Sequence, residues 1–170
     1  MDLNQTTLRG ILAQILSVDE AFIVPKQGNW WNPQETLGKP DTWCAYQIRS
    51  NRPVTAPYFS EGKTGNRMLV DKIATIDLQF VGPQAEAIAQ SVAYWPNRVD
   101  VARAFAGTQG AVMYTDMEAK SVGFYQEGAN NVLSWNTSIK VHWVQVLDTG
   151  QTRITGADIS GEIYTLPPAR

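Results

Sequence analysis

The chain has very little of what catalytic chemistry requires. It carries one cysteine, Cys44, and one histidine, His142, in 170 residues. A single cysteine cannot close an internal disulfide, and a Cys/His nucleophile pair exists only on paper. Cys44 lies in "TWCAYQIR", an apolar strand-like run where a thiol is usually a small hydrophobe. A basic excess is also missing. The formal net charge is -2 and the pI about 5.4, so bulk electrostatics recruit neither nucleic acid nor an anionic membrane. No run approaches the roughly 18 apolar residues of a membrane span. The start "MDLNQTTLRG" lacks the basic-then-apolar layout of a secretory signal, and the expectation is a protein of cytosolic origin.

Motifs that begin well also fail. "EGKT" at 61–64 ends like a phosphate-binding loop, but Pro57 stands where that loop needs a glycine, and a strand follows where it needs a helix. Gly82-Pro83, between a strand and a helix, has one glycine and a helix start without its first N–H donor, so it reads as punctuation. The acidic pairs Asp19-Glu20 and Asp116/Glu118 lack further ligands at metal spacing and read as solvated turns. The sequons "NQT" and "NTS" carry no meaning without secretion. The expectation is a chain with no catalytic cluster, no cofactor and no metal.

What is present is a fold. With 44% hydrophobic and 18% charged residues, 170 residues suffice for one well-buried core, and residues 1–170 are expected to form a single domain. Leu8, Ile11, Leu12, Ile15 and Leu16 fall at helical spacing in residues 3–17. Residues 19–40 have no sustained period and read as a long ordered connection. A strand is expected over 41–55, ending near Pro53, then a loop over about 52–66. The next strand places Ala74, Ile76, Leu78 and Phe80 on one face and Thr75, Asp77 and Gln79 on the other. Pro83 suits the first position of a helix with the stripe Ala85, Ile88, Ala89 and Val92, which Pro96 stops. A short helix is expected over "VDVARAFAG", and strands over "AVMYTD", "VGFYQEG", "VLSWNTSIKVHWVQVLDT" and "TRITGADISGEIYT". This order predicts an α+β fold, a mainly antiparallel sheet packed against the N-terminal helix and one or two more.

Six tryptophans are many for so small a core. They act either as interface anchors or as caps on the core edges. Trp30 and Trp31, in the expected connection, are candidate interface residues. So is the arm around 52–66, where Tyr58 and Phe59 offer an apolar handle and Arg49, Arg52, Lys63 and Arg67 surround it with charge. A tail "YTLPPAR" at 164–170 is a second candidate arm able to reach a neighbour.

The N-terminal amphipathic helix, "AYQIRS", the strand "ATIDLQFVG" running into "PQAEAIAQSV", the segment "WPNRVDVARAFAG" and the late strand "VLSWNTSIKVHWVQV" together resemble the neck or tail terminator proteins of long-tailed bacteriophages. The likeness spans roughly residues 1–150 in element order. Asn136 and Thr137 follow Trp135 where that family often has an acidic residue and an arginine, so it carries no charge pair to this place. The resemblance implies a virion structural protein, assembled in the host cytoplasm as a homohexameric ring. Such a ring caps the tail tube, meets sheath and head-connector proteins, and lets DNA pass through its lumen without specific binding. Alternatives are a tail-tube or baseplate subunit, or a small-molecule-binding α+β enzyme with a tryptophan-lined pocket served by Cys44 or His142. A non-catalytic role predicts that Cys44→Ser and His142→Gln leave the yield of complete particles unchanged. Loss of yield with fold and assembly preserved would contradict it.

Overall fold

In the computed structural model, residues 3–26, 42–62, 65–115, 118–127 and 130–147 are described. The first element is helix α1 (Gln5–Leu16). Asn4 caps it, its side-chain oxygen accepting the Thr7 N–H at 2.9 Å, and Ser17 ends it in the left-handed conformation at φ 54°. The stripe read from the sequence is the buried one: Leu8 and Leu12 are fully enclosed, and Ile11 and Ile15 nearly so. A short 3₁₀ turn leads into β1 (Ile23–Pro25), which runs parallel to β2 (Trp43–Pro53). The expected connection thus contains a strand, one too short for any periodic signal. The Tyr46 hydroxyl on β2 donates to the Gln5 carbonyl at 2.7 Å and ties α1 to the sheet.

Strand β3 (Tyr58–Gly62) and strand β4 (Gly65–Val81) come next. The expected loop over 52–66 is corrected here. Residues 52 and 53 belong to β2, and β3 pairs with β4 from Tyr58 opposite Leu69 to Gly62 opposite Gly65. An extended segment beside a long strand satisfies its backbone groups by pairing. Lys63 lies outside the described residues.

Beyond β4, Gly82 takes φ 125° and its carbonyl accepts the Ala85 N–H at 3.1 Å. Gln84, at φ -99° and ψ 5°, completes a type I turn with Pro83 at its second position. Helix α2 (Ala85–Ser91) therefore starts two residues after Pro83, which belongs to the turn and not to the helix. Nor does Pro96 stop the chain outright. A 3₁₀ helix runs from Val92 to Asn97, and the Ala93 carbonyl, which Pro96 cannot serve, accepts the Thr115 hydroxyl in a long bond of 3.4 Å. Helix α3 (Val99–Phe105), β5 (Ala111–Thr115), β6 (Lys120–Glu127) and β7 (Asn130–Leu147) complete the described chain. The expected strand "TRITGADISGEIYT" and the arm at 164–170 lie outside the described residues.

The sheet order is β1-β2-β4-β7-β5, with β3 on β4 and β6 on β7. All pairings but β1–β2 are antiparallel. This is an α+β fold, as read from the sequence. The helices cover one sheet face and share one core cluster with Cys44, Tyr46, Ile76, Leu78, Phe80 and Ile139. The described tryptophans answer the question of their number. Trp43, Trp95 and Trp143 are buried and Trp135 packs on the core, so these four are core residues and not exposed anchors. Among the described residues, no helix is long and apolar enough to cross a membrane.

Phe80 is 1% exposed at the centre of the core. Phe80→Ala should cost about 3–5 kcal/mol in chemical denaturation, since the cavity would lie between sheet and helices and could not collapse. A cost near zero would contradict that placement.

Candidate interaction face of the sheet

Because side chains alternate along a strand, the register that buries Ala74, Ile76, Leu78 and Phe80 sends Asp71, Ile73, Thr75, Asp77 and Gln79 to the opposite face. On β7 the matching residues are Ser134, Asn136, Ser138, Lys140 and His142, paired with Val81, Gln79, Asp77, Thr75 and Ile73. Among the described residues, one end of this second face has an apolar cover. There Trp43, Ala45 and Val81 form a small cluster with Phe22 packed against it.

Next to that cluster the face turns polar. The Arg49 guanidinium meets Asp77 Oδ2 through Nη2 at 2.6 Å and Nε at 2.7 Å, with the arginine side chain 68% exposed. A bulge between Ile48 and Ser50 turns Arg49 towards Asp77. Gln79 Nε2 donates to Ser134 Oγ at 2.7 Å. His142 Nε2 lies 3.1 Å from Asp71 Oδ1, and the Thr55 hydroxyl reaches Asp71 Oδ2 at 3.4 Å. An open groove of about 460 Å³ crosses the strands here, lined by Lys26, Arg49, Asp77, Gln79, Lys120 and Asn136 among others. Two acceptors in it, Asp77 Oδ1 and Asn136 Oδ1, are shielded from solvent and have no hydrogen-bond partner. A shielded acceptor left unpaired costs about 1–3 kcal/mol, so a donor arriving from outside would be favoured there.

The sequence-predicted interface residues divide. Arg52, opposite Ile73, and Tyr58, opposite Leu69, share this face with Arg67, and all three are exposed. Tyr58 is 40% exposed. Its hydroxyl pKa is raised, first by partial desolvation and then by the charge and hydrogen bond of Asp71. Phe59 pairs through its backbone with Met68. Trp30 and Trp31, like Lys63, lie outside the described residues. Reading single segments missed the Arg49–Asp77 and Asp71–His142 pairs, which join residues 28 and 71 positions apart. The signal available was the wet face of the β4 alternation, which already held Asp77 and Gln79.

The Cys/His pair of the enzymatic alternative does not form. Cys44 pairs with Phe80 on the core side of the sheet, and His142 stands on the other face, two strands away. Burial pushes the Cys44 thiol far above its ordinary range, against thiolate formation. Among the described residues, no three of His, Cys, Asp and Glu gather as metal ligands. No known family model matches the chain, and no curated protein matches it significantly.

The Arg49–Asp77 pair is too exposed to be worth more than about 1 kcal/mol. Arg49→Met should therefore lower stability by no more than that in urea denaturation. A loss of about 3 kcal/mol or more, the range for breaking a buried pair, would contradict it.

Proposed function

We propose that the chain is a structural virion protein of a long-tailed phage, a ring-forming neck or tail terminator that caps the tail tube and joins it to the head connector. The observation that carries this reading is the asymmetry of the sheet. One face is filled by the protein's own helices, whereas the other presents unpaired acceptors and exposed cations beside strands longer than the core needs. At about 3.4 Å per residue, β4, with 17 residues, and β7, with 18, run for about 55–60 Å. Typical strands have about 5–6 residues. The excess length carries β3 and its turn away from the helices and presents Tyr58, Arg52 and Arg67. Such an arm suits contact with another protein: an aromatic anchor for affinity and arginines for steering. Its partners in this reading are further copies of the chain, six in the ring, with tail-tube, sheath and connector proteins. Genomic DNA passes through the lumen unbound.

The test combines particle assembly with mass in solution. The intact protein should form a closed ring, seen as a discrete oligomer by light scattering and electron microscopy. Deleting residues 55–65 and joining the ends with a short Gly-Ser turn should leave a folded protein that fails to join heads to tails. Normal yields of infectious particles from that deletion would contradict the role given to the arm.

A further inference from the structure

The two sides of this molecule carry charge of opposite sign. Among the described side chains, the sheet face away from the helices carries Lys26, Arg49, Arg52, Arg67, Lys120 and Lys140, against two carboxylates, Asp71 and Asp77. Both carboxylates are already engaged, Asp77 by Arg49 and Asp71 by His142. The helix layer and its flanking turns show the reverse. Asp19, Glu20, Glu86, Asp100 and Glu118 are all exposed there; Lys72, on the same side of the sheet, lies over the Trp143 ring, and the described helix layer adds three arginines. One of those, Arg98, is committed to Asp100, and another, Arg9, donates to the Glu20 carbonyl. A chain with net charge -2 thus has a cationic face and an acidic back.

The acidic back also carries an anchor. Tyr94, in the 3₁₀ segment after α2, is 69% exposed, the most exposed of the large apolar side chains described. It borders a shallow cleft of about 640 Å³ lined by Ala87, Gln90, Ser91 and Glu118, with Glu86 one helical turn from Gln90 and bonded to it at 3.1 Å. A tyrosine supplies what the sheet groove lacks: an apolar ring to fill it and a hydroxyl to donate to Asp77 Oδ1 or Asn136 Oδ1.

We infer that the cationic sheet face of one subunit docks on the acidic helix layer of the next copy of the same chain, with Tyr94 seated in the groove and Glu86 and Glu118 facing Lys120 and Lys140. The inference rests on the ring reading and names its interface. The two surfaces lie on opposite sides of the domain, so they cannot both meet one partner across a two-fold axis. The contact is heterologous, and repetition either closes it into a ring or extends it into a filament. The sign of the charges also selects the partner. A duplex laid on the same face would be held at each phosphate it neutralised, whereas the helix layer of a second copy covers those cations.

The experiment measures the concentration for half-assembly of the full chain by light scattering and native mass spectrometry. Circular dichroism checks the fold of each variant. The double reversal Lys120→Glu with Lys140→Glu should raise that concentration about tenfold or more, as should Glu86→Lys with Glu118→Lys. Tyr94→Ala should weaken assembly likewise. Combining all four reversals should restore it, because the signs again oppose. Wild-type assembly should weaken as salt rises. If the wild type assembles and the folded reversals assemble equally well, this interface is wrong while the ring reading stands. A wild type that stays monomeric at every concentration overturns both. Assembly unchanged in the Lys120→Glu/Lys140→Glu variant, with loss of affinity for a short duplex DNA, would show a nucleic-acid face and overturn the docking assignment.

Discussion

The pairing of β4 with β7 is the constraint on which everything else in the molecule rests. It runs through fourteen successive residue pairs, from Met68 opposite Leu147 to Val81 opposite Ser134, without a bulge. Because side chains alternate with a period of two, this single register decides both faces at once. A slip of one residue would put Ile76, Leu78 and Phe80 into solvent and bury Asp77 and Gln79. The hydrophobic face alone therefore locks the polar face into place. The other strands are placed from this pair, β2 and β3 from β4, β5 and β6 from β7, and β1 in turn from β2.

That constraint also explains what could be read from the sequence. The α1 stripe and the alternation of β4 are local patterns, and their burial follows them closely, save that Leu16 is only half-buried and Ala13, outside the stripe, is buried. The pairing of β3 was hidden because its sequence is rich in turn formers, and the strand exists only because β4 extends past β2 to receive it. The role of Pro83 depended on the positive φ of Gly82, which shifts the helix start to Ala85. The tryptophans left two readings open, exposed anchors or caps on the core edges, and burial decides for the described ones: sheet and helices are deep enough to enclose Trp95 and Trp143. The candidate face was the least legible part. Arg49, Asp77, Lys120 and Asn136 come from four strands, and only the register brings them to one groove.

The same register links the charge asymmetry to the proposed role. If the cations of the sheet face lined a passage for DNA, each neutralised phosphate would become a contact to break during ejection. In the proposed ring the groove cations, covered by the acidic back of a neighbour, would hold the subunits together instead. The arm at the end of β3 and β4 stands clear of that contact region, several residues along β4 from the groove. It is thereby left for a different partner. One face for self-assembly and one projecting hairpin for the next component are what a joining ring needs.

Lysine labelling, read residue by residue by mass spectrometry, tests the central claim most directly. The account predicts that Lys120 and Lys140, both exposed in the isolated subunit, become strongly protected in the assembled protein at low salt. They should regain full reactivity when high salt dissociates it. Equal labelling of both lysines in assembled and dissociated protein would contradict the account, because the sheet face would then be open in the assembly.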